Sequence, residues 1–130
     1  MRPLLRSILA IASGHVLLTA AAALLHAISG RDPRRPADAS FLILSTGAGV
    51  LFALVGGYLA AWLAGRRPFL HAAILAAALA IEAFASIVAW PAGSTIKSPL
   101  ATILVIAPSA ALGGWIRAVR GPESHAAAGF

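Results

Sequence analysis

Cysteine is absent from this 130-residue chain, which excludes disulfides, thiolate metal sites and cysteine nucleophiles and removes any clue to a redox compartment. Charge is scarce too. Only 11% of residues are charged, four of them acidic, against roughly 25% in soluble domains. Sixty per cent are hydrophobic and the mean hydropathy is +0.90, so there is too little polar surface to clothe a water-soluble globule. The apolar residues also fall into long blocks with nearly every charge in the gaps between them, a pattern that makes lipid the solvent for most of the chain. The net charge of +6 therefore does not signal nucleic acid, because the cations sit at block ends, where topology and anionic headgroups account for them.

Four blocks are present, at about residues 4–28, 41–64, 69–90 and 100–119, each long enough to cross roughly 30 Å of hydrocarbon at 1.5 Å per residue. The expected fold is all-α: one integral membrane domain over residues 1–130, a four-helix transmembrane bundle with a polar tail at 121–130. The fourth block contains Pro108, which removes a backbone donor and predicts a kink that neighbouring helices can accommodate, and it carries Arg117 near its end. The basic start followed by an apolar run is also compatible with a signal peptide cleaved near Ala27, but the run is long for such a segment and reads as an uncleaved first span. The connectors are 29–40, which mixes charge with Pro33 and Pro36, then Arg66-Arg67-Pro68, then 91–99; none could house a second domain. Arg2, Arg6, Arg66, Arg67, Arg117 and Arg120 fall on one side, and Arg31, Arg34, Arg35 and Lys97 on the other. That excess, with its very short basic turn, predicts both termini inside. Trp62, Trp90 and Trp115 lie near the expected interfaces, where amphipathic rings settle.

The clearest pattern lies in the second span, where Ser45, Gly49, Ala53, Gly57, Ala61 and Gly65 recur every four residues. Small residues at this spacing form a groove into which another helix backbone packs closely, with dispersion and weak hydrogen bonds replacing the missing hydrophobic drive. The spacing leaves open whether that helix belongs to this chain or to another protein.

Glu82 is the one acidic residue inside a span, thirteen residues on from Phe69 and so near mid-membrane. A charged carboxylate there costs at least about 2.5–3.5 kcal/mol, so it should be protonated, paired or turned to a wet cavity. His15 lies eleven residues on from Leu4 in a span running the same way, which places the two within roughly 3 Å of each other in depth. Thr19, one turn further, is placed to hydrogen-bond to either. The group reads as a proton or cation site, with a His15–Glu82 proton relay as one use, or as a structural hydrogen bond inside the bundle; Ser86 or a backbone carbonyl is an alternative partner for the carboxyl. His26 shares a face with His15, but a haem needs two histidines at one depth on different helices, and His26 and His71 belong near opposite ends of their spans. His71 is expected among headgroups beside Arg66 and Arg67, and His125 in the polar tail. No metal or cofactor is expected.

Serines within or beside the spans, at Ser7, Ser13, Ser45, Ser86 and Ser109, lack a base and an orienting acid, so no catalytic residue is assigned and no enzyme is expected. Gly56-Gly57 and Gly113-Gly114 lie in apolar helices without the lysine and hydroxyl of a phosphate loop.

The junction Gly56-Gly57-Tyr58-Leu59-Ala60-Ala61, followed by Gly65-Arg66-Arg67-Pro68 and His71-Ala72, resembles that of uncharacterised small four-span proteins of bacterial inner membranes. The resemblance covers about seventeen residues; it implies topology and a multi-pass location in the bacterial cytoplasmic membrane, and supplies no activity or binding residue. Small multidrug exporters are of similar length and also carry an intramembrane glutamate, but in their first helix, where this chain has His15. The expected function is therefore that of a small bundle acting through helix packing, as an accessory subunit or small oligomer, with the bilayer and other membrane subunits or a second copy as partners and no nucleic acid. The alternative is a small proton- or cation-coupled transporter or channel using Glu82 with His15.

Overall fold

The structure, a computed structural model, describes residues 3–32, 35–89 and 96–121. The described residues are all helical or connecting, with no strand. Helix α1 spans Pro3–Ser29, α2 Ala39–Ala64 and α3 Pro68–Ala89. The fourth span is continuous but not uniform: α4 (Lys97–Ala101) leads into a π-helical turn at Thr102–Ile106 and then α5 (Ala107–Arg120). Each of the four spans is long and apolar enough to cross a membrane. Trp90, His125 and the tail from residue 122 lie outside the described residues.

Local chemistry sets the helix boundaries. Asp38 begins α2: its Oδ1 accepts from the Phe41 N–H (2.8 Å) and the Ser40 hydroxyl (2.9 Å), satisfying a donor that the first turn would otherwise leave open. Gly65 ends it at φ 72°, a conformation that favours glycine, with its N–H returned to the Ala61 carbonyl. Arg67 then takes φ 48° before Pro68 opens α3, where a missing N–H costs nothing.

The disturbance expected at Pro108 takes the form of a π-helical turn just before it. A proline ring presses on the carbonyl four residues back, here that of Leu104, and widening the preceding turn by one residue relieves the clash. Accordingly the Ala107 N–H reaches the Thr102 carbonyl, five residues back. The Thr102 and Ser109 hydroxyls donate to the Ser98 (3.2 Å) and Val105 (2.7 Å) carbonyls.

Helices α2 and α3 pack on each other, and both pack on α1 and on α5; α1 and α5 share no interface and lie on opposite sides of the pair. The core consists of Leu18, Ala53, Ala60, Leu75, Ala76, Leu79, Ala107 and Ala110. It is built mostly from alanine, and Leu75 is the one large side chain that is fully buried. Helices apolar enough to be solvated by lipid gain little by burying large apolar groups against one another, and here close backbone approach takes over. At Gly14 an added Cβ would meet Gly56 O at 2.8 Å and Leu75 Cδ2 at 2.7 Å, which makes this the α1–α2 crossing. At Gly57 it would collide with the Ala110 backbone, and at Gly113 with that of Leu54, so α2 and α5 touch main chain to main chain. Ile43, Leu51, Ile81, Val88, Leu104 and Val119 point outward and exposed, as a lipid-facing surface requires.

Candidate functional site: a vestibule ending at His15 and Glu82

Burial is uneven along the bundle axis. In α1 the buried residues are Ala10, Gly14 and Leu18, with none beyond; in α2, apart from Phe41, they run from Ala53 to Ala64; in α3, from His71 to Ala83. The half nearest Pro3 and Gly121, the termini end, therefore holds the packed core. Toward the other end, which carries the 30–38 loop, the helices separate around a cavity of about 1020 Å³. It reaches from the loop down to Leu18, Leu79 and Ile106, which form an apolar base, and its wall includes Thr102 of the π-helical turn.

His15 and Glu82 stand together at the deep end of this cavity. Their heptad-like neighbours place them there: Leu75, Leu79 and Glu82 share one face of α3, and Ile11, His15 and Leu18 one face of α1. His15 Nε2 lies 3.4 Å from Glu82 Oε1, and the two side chains are 33% and 61% exposed. This distance is long for a strong hydrogen bond and lies within ion-pair range. Thr19 does not join the pair; its hydroxyl donates to the His15 carbonyl (3.0 Å). Neither does Ser86 hold the carboxyl, for its hydroxyl donates to the Glu82 backbone carbonyl (2.9 Å). Both hydroxyls follow the common habit of serine and threonine in apolar helices, bonding one turn back, and His15 is the side chain that stands against the acid.

The mouth is organised around Asp38. Arg31 pairs with its carboxylate and lies over the Phe41 ring, 4.8 Å from the centroid, while the His26 ring meets Phe41 edge-on at 5.3 Å. The Phe41 N–H, the Arg31 guanidinium and the Ser40 hydroxyl hold the Asp38 carboxyl down at about 2, from its ordinary 3.8. His26 Nδ1 faces the Ala22 carbonyl at 2.9 Å; a carbonyl only accepts, so this nitrogen carries the proton. Arg35 and Asp32 also line the cavity, so with Arg31 paired to Asp38 the charges around the mouth balance. No cluster of three His, Cys, Asp or Glu residues forms among the described residues.

The other sequence-selected residues separate clearly. Within the small-residue stripe, Ala53, Gly57 and Ala61 are buried, and Gly49 and Gly57 face Ile106 and Ala110 of the fourth span. Gly65 instead faces the Arg6 guanidinium, and Ser45 lines the cavity. The helix seated on the stripe thus belongs to this chain. Sequence reasoning missed the packing role of the reciprocal glycines, Gly14 on α1 and Gly113 of the Gly113-Gly114 pair on α5; glycine inside an apolar helix was the available signal. It also placed His71 among headgroups, whereas His71 is buried, with Nδ1 donating to the Arg67 carbonyl (3.0 Å) and Nε2 2.9 Å from Ser7 Oγ. His71 opens α3 on the same face as Leu75, and that face is packed against α1.

The chain matches no family model, no curated protein and no solved structure.

Proposed function

We propose that this chain is a four-span protein of the bacterial cytoplasmic membrane, termini inside, that takes protons from an outward-facing vestibule at the His15–Glu82 pair and serves as a small proton-coupled transporter or channel. The observation that carries this reading is the pairing of His15 and Glu82, 3.4 Å apart, at the base of a 1020 Å³ cavity lined in part by loop residues. An acid near mid-membrane marks an ion or proton path when it borders water, and a histidine beside it can accept and return the proton. A metal cation fits less well, because one carboxylate and one imidazole leave most of its coordination sphere unfilled. The accessory-subunit reading drew its support from the stripe on α2, and the chain's own fourth span covers Gly49 and Gly57. The resemblance of the Gly56–Ala72 junction to small four-span inner-membrane proteins agrees with the proposed location.

On this reading the proton occupies the pair from the loop end and leaves toward the termini end when the seal at Gly14, Gly56 and Leu75 loosens. The test is a proton flux assay in liposomes containing an enclosed pH dye, driven by an imposed potential. Wild-type protein should acidify the lumen, and Glu82→Gln should reduce the rate by at least about 100-fold. An unchanged rate in Glu82→Gln, or no flux in wild type, overturns the proposal.

A further inference from the structure

A second cavity, of about 610 Å³, lies at the termini end and is bordered by Arg6 and Arg117, with Leu9, Leu63, Gly65 and Trp62 around them. Arg6 is held in place. Arg6 Nε donates to the Leu63 carbonyl at 2.7 Å, which fixes the guanidinium against the end of α2, where helix carbonyls favour a cation. A Cβ at Gly65 would meet Arg6 Nη2 at 2.7 Å, so the glycine leaves the guanidinium its place. Arg117 Nε is buried and has no acceptor among the described residues. Two guanidiniums therefore border one cavity whose lining, among the described residues, holds no carboxylate. Such an arrangement is completed by an anion with several acceptor oxygens, for which the planar guanidinium fork is suited.

The rest of the lining narrows the class. Leu9 and Leu63 offer apolar walls, and Trp62, 54% exposed, is placed where an amphipathic ring meets headgroups. We propose that this cavity binds the phosphodiester of an anionic glycerophospholipid, its phosphate between Arg6 and Arg117 and its glycerol end against the leucines. Zwitterionic lipids carry the same phosphate with an ammonium beside it, which two guanidiniums repel. Free phosphate shares the chemistry without using the apolar walls. The site is independent of the His15–Glu82 reading.

The full chain, purified in mild detergent, is titrated with phosphatidylglycerol, phosphatidylcholine or inorganic phosphate while bound lipid is counted by native mass spectrometry and the unfolding midpoint is followed. Phosphatidylglycerol should be retained at least about tenfold better than phosphatidylcholine, and Arg117→Gln or Arg6→Gln should each remove about tenfold of that preference. Arg120→Gln, an exposed charge at the same end, should leave it unchanged. Should Arg117→Gln fail to fold, Arg117→Lys, which keeps the charge but loses Nε, should bind more weakly than wild type. Equal retention of the two lipids, equal losses from Arg120→Gln and Arg117→Gln, or wild-type preference in Arg117→Lys would overturn the proposal. Stabilisation by inorganic phosphate equal to that by phosphatidylglycerol would assign the cavity to free phosphate and overturn the lipid.

Discussion

The two ends of the bundle are built on opposite principles from the same residues. At the termini end Gly14, Gly56, Gly57 and Gly113 bring helix backbones into contact, and alanines fill what remains around Leu75. At the loop end α1 carries no buried residue beyond Leu18, and the space between the helices is bordered by His15, Glu82, Ser45 and Thr102. Glycine content alone does not make the difference, since Gly47 and Gly49 lie in the open half: Gly47 faces empty space and Gly49 only the flexible tip of Ile106. What closes a crossing is a partner backbone opposite the glycine, which Gly57 and Gly113 have and Gly47 and Gly49 do not.

The strongest way to break this contrast is to put the same side chain into both halves. Gly57→Leu must displace the Ala110 backbone and should lower stability by about 3 kcal/mol or prevent folding, as measured by unfolding in detergent. Gly49→Leu need only shift Ile106 and should cost about 1 kcal/mol; Gly47→Leu should stay within about 0.5 kcal/mol. Similar losses at all three positions would mean that the open half is as tightly packed as the half that holds the core.

The polar contacts sharpen the contrast further. Ser7→Ala removes the side-chain partner of buried His71 and should cost about 1 kcal/mol. Glu82→Gln, at an exposed pair screened by solvent, should change stability by less than that while abolishing flux. Reversal of this order would place the Glu82 pair in a dry setting and His71 in a wet one.

The smallest effect belongs to the mouth. Because the Asp38 carboxyl is depressed from 3.8 to about 2 in the folded chain, its contribution is fully present above pH 3.8 and fades as pH falls toward 2. Unfolding midpoints at pH 5 and pH 2.5 should therefore differ slightly more in wild type than in Asp38→Asn, which keeps a capping oxygen without the titration. A variant that retains the full difference would place the acid sensitivity elsewhere.

Much of this was readable in advance for stated reasons. Counting residues from the start of two parallel spans put His15 and Glu82 at one depth, because helix rise is constant and both spans begin at the same interface. The i, i+4 recurrence from Ser45 to Gly65 marked a packing face. Depth and face, however, do not say what stands opposite. His71 was misplaced because nothing local in its sequence distinguishes a headgroup histidine from one bonded to a serine 64 positions away. The widening at Thr102–Ile106 went unread because proline requires relief of a clash without specifying whether the helix bends or gains a residue in its turn.

Four apolar helices, their approximate ends and the two polar groups within them are legible in the chain alone, because helix length and hydropathy are properties of one segment at a time. Only the tertiary structure decided that the fourth span covers the stripe on α2, that one half of the bundle holds the packed core while the other surrounds a cavity, and that Arg6 and Arg117 border the same space. Those outcomes depend on which backbones meet at which height, a relation between segments that no single segment encodes.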